Sequence, residues 1–154
     1  AVFATALAPY AAAPLDLDRV IRMLLVHDVG EIDAGDTLVY VETGWPERKA
    51  AERAAVTRLC GLLPEPTGPA LQALWEEFEA AVTPEARFAH AVDRAMPALL
   101  NLANNGQSWR ENGISHERVV RRLGTPIQAG CPALWTYLEA RLAEAQRQGW
   151  FGVG

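Results

Sequence analysis

Apolar residues at Leu17, Val20, Ile21, Leu24 and Leu25 recur at spacings of three and four, and they run almost directly into His27 and Asp28. That spacing lays them along one broad face of a helix. The helix therefore delivers an imidazole and a carboxylate at its end, which the spacing places at about Val29, and Glu31, Asp33 and Asp36 follow closely, punctuated by Gly30 and Gly35. Burying unpaired carboxylates costs on the order of several kcal/mol. Packing alone gives no reason to build such a cluster, and a bound cation would remove the cost.

The rest of the chain reads as further helices. Residues 1–13 have the pattern of an apolar helix entered in its middle and stopped at Pro14, so the natural chain is expected to extend upstream of Ala1. Asp16 or Asp18 can cap the helix that leads to His27. Residues 33–45 are polar and turn-rich, residues 47–62 are helical in composition, and residues 64–69 form a Pro-rich linker. Residues 70–82 place Leu71, Leu74, Trp75 and Phe78 on one face, and Thr83-Pro84-Glu85 opens a helix reaching about Ala103.

Pro97, inside that helix, cannot donate to the carbonyl of Asp93 and predicts a kink there. A polar turn at residues 104–108, a short helix over residues 115–123 and a last helix over residues 132–147 complete the pattern. No β alternation and no internal repeat stand out. The expected fold is all-α, a compact bundle of about six helices in one domain over residues 1–154.

A net charge of -5 with dispersed arginines excludes a basic block for a nucleic-acid polymer. No segment approaches the roughly 18 apolar residues that span a bilayer, so no membrane partner is expected. Cys60 and Cys131 lie far apart without a CxxC spacing, which reads as reduced, buried thiols in a cytoplasmic protein. Trp75, Phe78, Trp135, Tyr137 and Leu138 read as core or interface, and the tail Trp150-Phe151-Gly152-Val153 as docked on the body or on a partner subunit.

Imidazole with carboxylates suits Mn²⁺, Co²⁺, Fe²⁺ or Mg²⁺ better than a closed structural zinc. His27 and Asp28 are about 100° apart on an ideal helix, but at a terminus both can reach one ion. Glu31 shares their side by helical periodicity, and carboxylates beside an ion-activated water can do acid/base work. The plainer alternative is a satisfied helix-end histidine beside a solvated acidic loop. Asp33 could support the metal or cap the loop, Arg53 and Arg87 are candidates to receive a phosphate, His90 reads as an ordinary or supporting helix residue, and His116 as surface.

The string His27-Asp28-x-x-Glu31-x-x-x-Gly35-Asp36 resembles the HD-domain metal-dependent phosphohydrolases, in particular the branch containing the 5'-deoxynucleotidases. The run Glu85-Ala86-Arg87-Phe88-Ala89-His90-Ala91-Val92-Asp93-Arg94 is similar to that branch's helix with the final metal-binding Asp, and Ser108-Trp109-Arg110 adds support. The resemblance implies an HD-type helical bundle in which His27, Asp28 and Asp93 bind one divalent ion (Mn, Co, Fe, Mg or Zn), with Glu31 and Asp36 catalytic. It also implies a further histidine ligand from the preceding helix, and residues 1–13 hold none. The implied activity is hydrolysis of deoxyribonucleoside 5'-monophosphates by a homodimer, a small-molecule nucleotide being the substrate. Hydrolysis of a cyclic or polyphosphorylated nucleotide, or a degenerate domain that only binds a nucleotide or protein, are the alternatives.

Overall fold

The computed structural model describes residues 1–36, 40 and 44–152. Among these residues the chain is helical with no strand: α1 Val2–Leu7, α2 Leu17–Val26, α3 Glu31–Ala34, α4 Trp45–Cys60, α5 Thr67–Ala80, α6 Pro84–Ala103, α7 Gln107–Glu111, α8 His116–Gly130 and α9 Pro132–Arg147. The all-α expectation holds. The expected count of about six matches only the longer helices, because α1, α3 and α7 are short helical segments in addition.

The boundaries follow from side-chain caps. Asp16 accepts from the backbone N–H of Arg19, Thr83 from that of Ala86 with Pro84 at the first helical position, and Ser115 from that of Arg118. The first segment is shorter than expected, since α1 gives way to a 3₁₀ turn at Ala8–Tyr10 around Pro9. Gln107–Glu111 is helical, starting inside the polar turn expected over residues 104–108. α8 runs past Leu123 to Gly130 in spite of Pro126, because burial of this stretch outweighs its poor propensity.

α6 is the central helix and packs most extensively on α8, then on α2. It buries Ala86, Phe88, Ala89, Ala91, Val92, Ala95, Ala98 and Leu102. So many alanines let neighbouring backbones come close; Gly130 of α8 rests against the Arg87 carbonyl and Ala91, leaving no room for a Cβ. α6 remains helical through Pro97.

The expected docking of the tail is seen for Trp150–Gly152, whereas Val153 lies outside the described residues. Phe151 stacks on buried Trp109 at 4.6 Å, and the Gly152 N–H donates to the Ile114 carbonyl at 3.0 Å. Trp135 and Leu138 are core, whereas Tyr137, two positions after the one and one before the other, is 55% exposed and so is not core. Cys60 and Cys131 are buried and unpaired. No helix among the described residues is long and apolar enough to cross a membrane.

Candidate metal centre

Three elements meet at His27. α2 ends at Val26, so His27 is its C-cap and projects from the helix end. α5 holds that end in place: the Trp75 indole N–H donates to the His27 carbonyl at 3.0 Å, capping one of the helix's orphan acceptors. Phe78, also on α5, lies 5.0 Å from the His27 ring and stacks on His90 of α6 at 4.0 Å. α6 contributes Asp93.

The imidazole is oriented by its own hydrogen bonds. Nδ1–H donates to the Leu24 carbonyl at 3.1 Å, one helical turn back. That assigns the tautomer and turns Nε2 outward, as in metal-ligating histidines whose other nitrogen is held by a carbonyl. Nε2 stands 3.1 Å from Asp28 Oδ1 and 3.2 Å from Asp93 Oδ1. A nitrogen lone pair facing two carboxylate oxygens is repulsive, so the site requires positive charge, either a proton on Nε2 or a cation.

The donor set fits a divalent ion. Ligands about 2.1 Å from an ion and about 90° apart stand about 3 Å from each other, which both observed edges match. No group of three or more such side chains among the described residues already surrounds a point where an ion could be held. Seating an ion therefore requires the carboxylates to turn toward it.

The other acids gather around the same point. Glu31 opens α3, and exposed Asp36 lies just past Gly35. Gly30, between them and Asp28, sits against α4 so closely that a Cβ would stand 2.9 Å from the Glu52 carbonyl oxygen and 3.0 Å from its Cβ. The glycine thus brings Glu52 into the field of the cluster. Burial, followed by the charges of Asp28, Asp36 and Glu52, pushes the Glu31 carboxyl up to about 7.

Burial also raises Asp28 against the pull of His27, with Asp93, Asp36 and Glu52 adding to the rise. Asp93 shifts the other way. Burial would raise it, but its hydrogen bond to His27, the imidazolium charge and Arg94 together hold it below the usual range. Burial opposes the charged form of His27, yet the Asp93 hydrogen bond and both carboxylate charges outweigh it and raise its pKa.

These shifts predict a pH dependence for the metal-free protein. Glu31 keeps its proton up to about 7, whereas an unfolded chain releases it near 4.5, so native stability falls as pH rises through that window. His27 acts in the same sense, with its stabilisation present below 6.5 and lost as pH passes its raised value. Thermal melts with chelator are expected to show Tm falling from about pH 5 to about pH 8, with Glu31→Gln flattening the lower half of the fall. A Tm that rises over this range contradicts the assignment.

The remaining candidates separate clearly. Among the described residues Asp33 forms a two-point ion pair with Arg58 of α4, with bonds of 2.8 Å, rather than turning to the cluster. Arg53 lies over the Trp75 ring and faces Glu76 at 3.7 Å, and Arg87 donates to the Ala81 carbonyl, so neither turns to the cluster. His90 donates from Nε2 to the Phe78 carbonyl at 2.8 Å and supports Phe78 by stacking. His116 is half-buried with its edge on Phe151, not free surface. Sequence reasoning missed Trp75 and Phe78 as supports of His27; their spacing with Leu71 and Leu74 marked a buried face without saying what it holds.

The profile of the HD-domain family matches residues 1–135. Two curated proteins named 5'-deoxynucleotidase HDDC2 are similar to this chain over 80 residues: that of Xenopus laevis at 38% identity, covering 52% of this chain and 40% of the relative, and that of Homo sapiens at 35% identity, covering 52% and 39%. The chain thus spans about two fifths of the length of those relatives. The crystal structure of a predicted metal-dependent phosphohydrolase from Magnetospirillum magnetotacticum MS-1 superposes with a TM-score of 0.90 at 40% identity, covering 98% of this chain and 77% of that one. With the His27–Asp28 doublet at a helix end facing Asp93 across the bundle, and with the family profile covering most of its length, this chain belongs to the HD-domain family.

Proposed function

We propose that the chain is a metal-dependent phosphohydrolase that releases phosphate from deoxyribonucleoside 5'-monophosphates, acting as a homodimer. The observation that carries the reading is the His27 ring, pinned through Nδ1 to Leu24 with Nε2 aimed between Asp28 and Asp93. The names of the curated relatives and of the structural neighbour support the same chemistry.

His27, Asp28 and Asp93 would hold one divalent ion, which when bound would supply Lewis-acid polarisation of a phosphoryl oxygen and acidify water in the site. Glu31, at the start of α3 and in the field of Asp28 and Asp36, is suited to take a proton from the attacking water and return it to the departing oxygen. Asp36, whose charge reaches both Asp28 and Glu31, positions the water or the departing ribose oxygen. The donor set suits Mn²⁺, Co²⁺, Fe²⁺ or Mg²⁺ better than a closed structural zinc, and an open zinc site is compatible with it.

The test is phosphate release from a panel of ribo- and deoxyribonucleotides, mono-, cyclic and polyphosphorylated, with each metal in turn. Deoxyribonucleoside monophosphates are expected to turn over best, and Asp28→Ala to abolish the signal. Turnover equal in Asp28→Ala, or absent with every metal, rejects the reading.

A further inference from the structure

Two arginines on the packed helices α6 and α8 are unused by the chemistry above, and the first of them adjoins the metal centre. Arg94 follows Asp93 on α6, and its Nε lies 4.0 Å from Asp93 Oδ2, while Oδ1 of the same carboxylate faces His27. Arg122 comes from α8, the principal partner of α6, and its guanidinium carbon stands 5.0 Å over the Trp45 ring at the start of α4. Both side chains are half-buried, and in each the Nε is buried without a hydrogen-bond partner among the described residues.

Such an arrangement costs stability unless something fills it. A buried, unsatisfied donor is expensive, and more so when it carries charge. Here two like charges lie near each other: burial first and then the charge of Arg94 lower the pKa of Arg122. Other cations are already engaged, since Arg118 donates to the Tyr40 carbonyl at 2.8 Å and the Arg48 guanidinium also lies over the Trp45 ring, at 5.8 Å. They add positive potential and do not relieve Arg94 or Arg122. The planar guanidinium fork matches the oxygens of a phosphate.

We propose that Arg94 and Arg122, steadied by Trp45, form an anion subsite next to the metal centre that receives the phosphate of the substrate. That the anion is a substrate phosphate rests on the phosphohydrolase reading; the presence of the subsite does not. Asp93 then serves two purposes, with one oxygen toward His27 and the other holding Arg94 at the edge of the phosphate position.

The probe is inorganic phosphate, titrated calorimetrically into the full chain, both chelator-treated and metal-loaded, at ionic strength matched with chloride. The parent binds phosphate, and Arg122→Gln and Arg94→Gln each weaken it by about tenfold or more, as expected for a lost charge-assisted fork. Arg122→Lys, which keeps the charge and loses the fork, falls between. In turnover, Arg122→Gln raises KM about tenfold while kcat changes far less. Should Arg122→Gln not fold, Arg94→Gln in chelator carries the test, because that variant leaves the Trp45 contact alone. Unchanged phosphate affinity in the glutamine variants, or no phosphate binding by the parent in either state, overturns the subsite. Arginine-dependent phosphate binding without hydrolysis sustains it and unseats only the enzyme reading.

Discussion

Asp93→Ala is expected to lower metal-dependent phosphate release by about a thousandfold or more. Charge stabilisation by a bound ion amounts to several kcal/mol, and each 1.36 kcal/mol is about a factor of ten in rate. Asp93 is the carboxylate on which most of the site depends: its Oδ1 stands 3.2 Å from His27 Nε2, it lies beside Arg94, and it is the acid of the cluster held below its usual pKa. Its loss leaves Arg94 without its acid partner and His27 facing Asp28 alone. The comparison is kcat and bound metal per chain for Asp93→Ala against Asp93→Asn, which keeps the shape without the charge. Activity within about tenfold of the parent in Asp93→Ala removes Asp93 from the metal centre.

The largest effect on stability is expected from Trp75→Ala. Trp75 is 2% exposed and makes a core of its own with Val56 and Cys60 between α4 and α5, apart from the main core. Truncating a buried tryptophan costs about 3–5 kcal/mol, a large part of the roughly 5–15 kcal/mol that is typical of a domain. In a chain of this size that lowers Tm by about 10 °C. Trp75→Phe keeps most of the packing and removes the hydrogen bond to the His27 carbonyl, costing about 1 kcal/mol from the bond and more from the smaller ring. Urea melts of the two variants separate the contributions. Equal losses in both would show that packing is not what Trp75 supplies, and metal affinity in Trp75→Phe reports how firmly the end of α2 is held.

What could be read from the letters and what could not divide along a physical line. The helix leading to His27 and the one bearing Asp93 were legible because each pairs a cap with an unbroken apolar period, and Thr83-Pro84 marks a start that survives in the structure. The doublet itself was suggestive, and the family resemblance supplied Asp93 as its partner, since no local pattern links residues so far apart in sequence. α7 and the second half of α8 were not legible. Gly124, Pro126 and Gly130 look like breakers, yet the Trp135 ring lies against Gly124, 3.1 Å from where a Cβ would stand, so packing and not propensity decides there. Arg94 and Arg122 were invisible for a related reason: an arginine reads as solvated until the crossing of α6 and α8 buries part of it. Residues 37–39 and 41–43 of the expected polar turn lie outside the described residues.

Phe78 is in ring contact with both His27 and His90. Its circulating π electrons shift the resonances of both imidazoles, so the His27 carbon-bound protons carry a built-in magnetic ruler of ring orientation. The centre can thereby be watched without substrate, by following two histidine signals as an ion is titrated in.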